Sequence, residues 1–362
     1  MECKESWKWI FLVWVWRVGS MDKSWPIAID LFSGCGGVTE GLRQARFRVV
    51  AAVDIDPICS VTYKNNHKSV KFYNDDIRVV DPNKLARVIP KGKELDLLTV
   101  CAPCQPFSSQ NRDKGHDLRT NLILEALKFI RILNPKVIFF ENVPGLAETD
   151  VFSELQEALH LYGYHTIEPL VIDAADYGVP QRRPRFIYLA SRTPEPITVP
   201  TPVTRLENRI TVRDAIGDLK ILHSGEKDQD DSLHIARKHK EIALKRLRFI
   251  PKNGGSRSSL PDELQLDCHK NHNGHKDVYG RMSWDTVAPT LTTGCTNITR
   301  GRFAHPSEDR SITVREAARL QTFPDNYKFH GKLEQIATQV GNAVPVAMMK
   351  NIACHIRKHV RG

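Results

Sequence analysis

The chain has 362 residues, 41% of them hydrophobic and 26% charged, an ordinary globular composition with enough apolar residues for one large domain or two unequal ones. Lys and Arg exceed Asp and Glu by 52 − 42 = 10 and the isoelectric point is about 9.2, a balance that favours a polyanionic partner such as nucleic acid. Internal repeats and low-complexity tracts are excluded. So is a disulfide framework, because six of the cysteines (Cys3, Cys35, Cys59, Cys268, Cys295, Cys354) are isolated in sequence, which points to a reducing compartment.

Residues 9–16 (WIFLVWVW) form an apolar run between Lys8 and Arg17, far short of the roughly 20 residues of a membrane helix. A signal peptide cleaved near 18–20 (VGS) is one reading. The stronger one is an extension upstream of Met21, which stands just before the first strand. From there strands and helices alternate. The runs 27–32 (IAIDLF), 48–54 (RVVAAVD), 95–100 (LDLLTV), 136–143 (KVIFFENV) and 185–190 (RFIYLA) are short and almost continuously apolar, as parallel strands covered on both faces should be. Residues 119–133 carry Leu122, Ile123, Ala126, Leu127 and Ile130 at helical spacing, and 151–163 read as a helix ending at Gly163. The expected fold is a doubly wound α/β domain. A Pro-rich connection at 191–203 leads into a stretch rich in charge, His and Gly with poor periodicity. Regular patterning returns at 312–323 and in a last helix entered through Pro345, with Val346, Met349, Ile352 and Ile356 as its stripe. The expected division is an N-terminal extension (1–25), a catalytic α/β domain (26–190), an irregular second domain (191–325) and a segment returning to the first (326–362).

Three stretches carry chemistry. The first strand runs into glycines 34, 36, 37 and 41, a tight turn that lets backbone approach a ligand. Thr39 stands where the dinucleotide fingerprint has its third glycine, so this is not that motif. Asp54 ends the second strand 20 residues after Gly34, where an acid can hold ribose hydroxyls. With Asp76 downstream, an adenosine-type ligand is expected. The stretch 98–109 (LTVCAPCQPFSS) holds Cys101 and Cys104 as C-x-x-C after an apolar strand. A dithiol redox pair would have the motif start a helix, yet Pro106 follows closely. A zinc site needs a second ligand pair, for which the only source is Cys268 with His269, His272 and His275, equally a polar loop rich in His. The third reading is one nucleophilic thiolate at the carboxyl end of a strand. Glu141 and Asn142 end the neighbouring strand, and an acid so placed, if partly buried, holds a proton near neutral pH. Residues 180–185 (PQRRPR) gather three arginines suited to phosphate or carbonyl oxygens.

The ordered set DLFSGCGG, APCQPFS, ENV, QRRPR, REAARLQTFPD and QVGNAVP, spread over about 26–358, resembles the cytosine-5 DNA methyltransferase family, and 279–293 and 301–325 look like its bacterial and phage members. The resemblance implies that Cys104 adds to C6 of a cytosine flipped out of duplex DNA and Cys101 is incidental. Glu141 serves N3, and Arg185, with Arg183 behind it, holds O2. The implied methyl donor is S-adenosylmethionine, with Phe32 against adenine and Ser33, Gly34, Gly36 and Gly37 around the methionine. Asp54 falls on the ribose, Asp76 on the adenine amine, and Leu122 and Asn342 line the pocket. Ile55 replaces an aromatic found in some relatives, so that Ile55 and Ile77 would pack the adenine, and Ser33 stands where Ala is frequent. Pro103, Gln105, Ser108, Asn142 and Gln181 fall on substrate-binding positions, and no metal is implied. The implied partner is double-stranded DNA, recognised at a short sequence by 191–325. The protein would act as a cytoplasmic monomer, with a restriction endonuclease as a genetic companion or as an orphan methylase. The rivals are a tRNA cytosine-5 methyltransferase, whose Cys-Phe-Thr tripeptide is absent, and a catalytically inactive DNA-binding relative.

Overall fold

The computed structural model describes residues 24–103, 121–266 and 277–361. Eight strands form one sheet in the order β3-β2-β1-β4-β5-β8-β6, with β7 also on β8. β1 (Ile27–Leu31), β2 (Arg48–Val53), β3 (Lys71–Tyr73), β4 (Leu97–Val100) and β5 (Val137–Asn142) are parallel. Alternate side chains serve opposite faces, as the pleat requires. Ile29, Leu31, Leu98, Ile138 and Phe140 pack against α4 (Ala126–Leu133) and α5 (Asp150–Leu161). Ala28, Val49, Leu97, Val137 and Phe139 pack against α1 (Gly37–Gln44) and the last helix, α10 (Val346–Arg361). The doubly wound expectation and the apolar stripe of the last helix both hold.

One strand runs the other way. Residues 185–190 lie in β8 (Pro184–Ser191), which is antiparallel to β5, with Glu141 opposite Ile187 and Asn142 opposite Phe186. The cause is connection length. β6 (His165–Thr166) and β7 (Leu170–Asp173) pair with β8 in the same antiparallel sense, and only residues 174–183 join β7 to β8, fewer than a parallel crossover needs. An apolar run does not encode its own direction. The helix expected over 119–133 begins only at Ala126, after turns at 121–125.

After β8 the chain forms short elements: α6 (Val212–Ile216), α7 (Glu241–Phe249) and α8 (Val314–Leu320). α8 packs on α6 and on α9 (Leu333–Asn342). Their shared core includes Cys35 and Cys59 from the sheet's carboxyl edge, while Leu247, Ile250, Leu260, Tyr279 and Ile298 make a smaller core. Two wholly buried arginines stand in for missing apolar periodicity. Arg281 donates to the carbonyls of Leu247, Ile250, His305 and Glu308 and pairs with Asp309. Arg310 grips Glu316 through two bonds of 2.8 and 2.7 Å. Burial pushes the Glu316 carboxyl up, but Arg310 outweighs it and brings it down to about 2. Glu316 also closes a capping box with Thr313 at the start of α8.

α1 and α10 touch closely because Gly41 has no side chain. A Cβ there would meet Met349 Cβ at 2.7 Å and the Val346 carbonyl at 2.8 Å. A Gly41→Ala change should cost about 1–3 kcal/mol through overpacking, read as a lower urea midpoint. An unshifted midpoint would contradict this helix contact.

Candidate active site

The parallel strands end along one edge, and every described candidate from the strands is there. The β1–α1 turn holds Phe32 at φ +58, a left-handed conformation that costs energy for a residue with a side chain and is seen mostly where a site demands it. Ser33 donates to the Val53 carbonyl through both its amide (3.0 Å) and its hydroxyl (3.3 Å). Asp54 accepts from Gly34 N at 2.7 Å and Asp56 N at 2.9 Å, which fixes the turn to the end of β2. Burial nevertheless leaves its carboxyl above the usual range.

The glycines divide in a way their spacing does not reveal. Gly34, at φ +52, has open space where a Cβ would be. At Gly36 a Cβ would strike Tyr327 Oη (2.7 Å) and His67 Nε2 (2.8 Å), and at Gly37 the Val344 carbonyl (2.6 Å). At these two the missing side chains make room for the protein's own packing. Ile55 is 63% exposed beside Asp54, whereas Ile77 is buried in the core and offers a ligand little surface. Asp76 is already bonded: Arg78 donates to both its oxygens, with a closest contact of 2.5 Å, and holds the carboxyl below its usual range. Leu122 is half-buried against the core, and Asn342 is exposed at the end of α9. An open turn at Gly34, a carboxylate at Asp54 and an apolar side chain at Ile55 fit the sugar and base of an adenosine-containing cofactor.

Glu141 ends β5 almost buried, and its Oε1 lies 2.9 Å from Arg185 Nε. Arg185 gives Nη1 to the Pro184 carbonyl at 2.7 Å, leaving Nη2 for a ligand. Asn142, expected at substrate, is buried and supports backbone: Nδ2 donates to the Ala102 carbonyl (3.3 Å) and Oδ1 accepts from Val143 N (2.9 Å). It thereby holds the root of the segment that continues through exposed Pro103. Cys104, Gln105 and Ser108, and the Cys268, His269, His272 and His275 group, lie outside the described residues. Burial, reinforced by the charges of Glu141 and Asp30, pushes the Cys101 thiol well up, so this sulfur stays protonated and unreactive at neutral pH.

Two expected site residues are buried and bonded to protein groups. Arg183 is 3% exposed, and its terminal nitrogens donate to the carbonyls of Leu291 (2.9 Å), Gly341 (3.0 Å) and Ala343 (3.3 Å). Gln181 is wholly buried: Oε1 accepts from Leu291 N at 2.9 Å and Nε2 donates to Gln321 Oε1 at 2.9 Å. The terminal nitrogens of Arg183 and both amide atoms of Gln181 are thus engaged with protein groups. Asp30, conversely, went unnoticed in the sequence because it sits inside an apolar strand. It is wholly buried and accepts from Thr39 Oγ1 (2.8 Å) and Thr99 Oγ1 (2.7 Å). It thus ties β1 to α1 and to β4, under both the glycine turn and the root of the Cys101 segment.

A doubly wound sheet with a carboxylate-backed glycine turn at its switch point, and a buried acid–arginine pair two strands away, defines a cofactor-dependent group-transfer enzyme. Residues 27–358 match the family model for C-5 cytosine-specific DNA methylases, and the chain belongs to that family. It is 39% identical to the type II methylase M.HgiDII of Herpetosiphon aurantiacus, over 92% of this chain and 96% of that one. It is 35% identical to the type II methyltransferase M.PspPI of a Psychrobacter strain, over 92% and 78%. Among solved structures, a putative DNA modification methyltransferase encoded within an E. coli prophage superposes with a TM-score of 0.73 at 23% identity, covering 93% of this chain and all of that one. The protein is a DNA (cytosine-5) methyltransferase that uses S-adenosylmethionine. No helix among the described residues is long and apolar enough to cross a membrane.

Asp30 gives the site a pH dependence. Burial raises its carboxyl from 3.8 to about 7, so between those values the folded chain holds a proton the unfolded chain has lost. Stability therefore falls as pH rises through this window and levels off above it. Between pH 5 and 8 the wild type should lose roughly 3 kcal/mol that Asp30→Asn does not lose, measured by urea unfolding at both pH values. Parallel pH profiles would refute it.

Proposed function

We propose that the chain methylates cytosine in duplex DNA within a short sequence recognised by residues 191–325, acting as a monomer and as the protective partner of a restriction endonuclease. The type II naming of its relatives supports that setting. The observation that carries the catalytic assignment is the Glu141–Arg185 pair at the sheet's carboxyl edge, the edge at which β4 ends and the chain runs on into Cys101, Ala102 and Pro103.

C5 of cytosine is a poor nucleophile. The Cys104 thiolate adds to C6, forming an S–C bond and pushing the C5–C6 π pair towards an enamine. Glu141 donates a proton or strong hydrogen bond at N3, where charge would otherwise build up, and Arg185 Nη2 donates to O2. The bound cofactor supplies a methyl group made electrophilic by its sulfonium, and Asp54, Ile55 and the Gly34 turn hold the sugar and base of that cofactor. C5 takes the methyl group, the broken bond's electron pair staying on the donor sulfur. The C5 proton then passes to water, its C–H pair re-forms the C5–C6 double bond and expels Cys104 as thiolate, and N3 returns its proton to Glu141. Arg183, Gln181 and Asn142 act as positioning residues: they hold the backbone that presents Arg185 and the root of the Cys104 segment.

Labelled methyl transfer from S-adenosylmethionine to duplex DNA should vanish in Cys104→Ser and persist in Cys101→Ser. Equal loss in both variants would overturn the assignment of the nucleophile. Glu141→Gln should lower turnover by roughly 10²–10⁴, and its covalent complex with 5-fluorocytosine DNA should form correspondingly slowly. Wild-type turnover in that variant would remove Glu141 from the mechanism.

A further inference from the structure

The three arginines of residues 180–185 have three different fates. Arg183 is buried and holds carbonyls. Arg185 pairs with Glu141. Arg182 between them is exposed, and its guanidinium has no protein partner among the described residues. This is unusual nearby. Arg209 is bonded to Asp176, Arg213 to Asp285, and Arg319 to both Asp218 and Asp325.

The Arg182 backbone, in contrast, is held on both sides. Its amide donates to the Ala288 carbonyl at 2.8 Å, Ala288 N donates back to Pro180 at 2.9 Å, and Thr290 Oγ1 donates to the Arg182 carbonyl at 2.7 Å. Buried Gln181 and Arg183 fix the neighbouring positions. Because Asn142 of β5 is opposite Phe186 of β8, residue 182 lies beyond the carboxyl edge of the sheet, on the side where Glu141 opens. A free guanidinium is therefore presented from a rigid backbone at the seam between the catalytic sheet and the 288–291 segment. A fixed backbone lowers the ordering cost of using such a side chain, and the planar fork matches a phosphodiester.

We propose that Arg182 is a phosphate-binding residue of the DNA interface, gripping the duplex backbone beside the catalytic pocket. The assignment rests on the reading that DNA enters the cleft at Glu141 and Arg185, and extends it to a residue that takes no part in the chemistry. A backbone contact carries no sequence information, so its signature is electrostatic and uniform.

The test is fluorescence anisotropy of labelled duplexes of two unrelated sequences, with full-length wild type, Arg182→Gln and Arg182→Lys, from about 50 to about 200 mM salt. Arg182→Gln should bind both duplexes about tenfold more weakly at low salt. Its plot of log affinity against log salt should be shallower by about 0.9. Arg182→Lys should recover most of the slope, and thermal midpoints and S-adenosylmethionine affinity should match wild type. An unchanged slope and affinity in Arg182→Gln, or a loss confined to one sequence, overturns the assignment. Methyl transfer by wild type to sheared unmethylated DNA is measured in parallel. Its absence would bring down the methyltransferase reading, whereas an unchanged slope beside an active wild type brings down Arg182 alone.

Discussion

Arg185 stands beside Glu141 only because β8 runs against β5. In a parallel sheet every strand brings its last residue to the carboxyl edge, so an acid there has other strand ends as neighbours. A residue at the start of a parallel strand would sit at the opposite edge, roughly 25 Å away for the eight residues of β8. Reversing one strand brings its first residues level with the last residues of β5, and the register places Arg185 next to Glu141. A carboxyl group and a guanidinium in contact with each other thus come from adjacent strands of one rigid sheet. Neither depends on a loop for its position.

The same reversal sends the chain before β8 out past the edge, where Gln181 and Arg183 join three parts of the molecule. Gln181 binds Leu291 and Gln321, Gln321 donates to the carbonyls of Val340 (2.7 Å) and Ala343 (3.1 Å), and Arg183 closes onto Leu291, Gly341 and Ala343. Gly341 lets the end of α9 come so near that a Cβ would lie 2.4 Å from the Thr292 backbone. Buried amides and guanidinium groups gain strength in a low dielectric when paired and become costly when not. The segment carrying Arg185, the 288–293 segment and the turn before α10 therefore have little freedom to shift independently.

Much of the sheet could be read from the chain, and the limits have physical causes. β1, β2, β4 and β5 are apolar runs because both faces are covered. β3, β6 and β7 have three, two and four residues and are mostly exposed or half-buried, so no pattern marks them. Strand direction depends on connection length and hydrogen bonding, which apolarity does not carry. The region after β8 is held by Arg281, Arg310 and long-range carbonyl bonds, so its order is invisible to periodicity. Glu141, Arg185 and Asp54 were legible as charged residues closing or opening apolar strands. Gln181 and Arg183 look like ligands for the same reason, and only burial and partners separate the two groups. Asp30 was hidden because one acid within β1 resembles an interruption, although its hydroxyl partners come from residues 9 and 69 positions away.

The member of the C-x-x-C pair inside the described residues, Cys101, bears on the redox reading of that spacing. Cys101 continues the hydrogen bonding of β4 through its amide, which donates to the Leu31 carbonyl at 3.4 Å. Its thiol sits in a low dielectric within the influence of Asp30 and Glu141. Deprotonating it would place a negative charge beside carboxyl groups in a largely desolvated position, which burial and like charge both oppose. A dithiol redox pair needs an accessible thiolate in one partner and a resolving thiol in the other. Cys101 is unsuited to be that attacking thiolate. The acid near the end of β5 therefore also helps to hold the Cys101 sulfur in its thiol form.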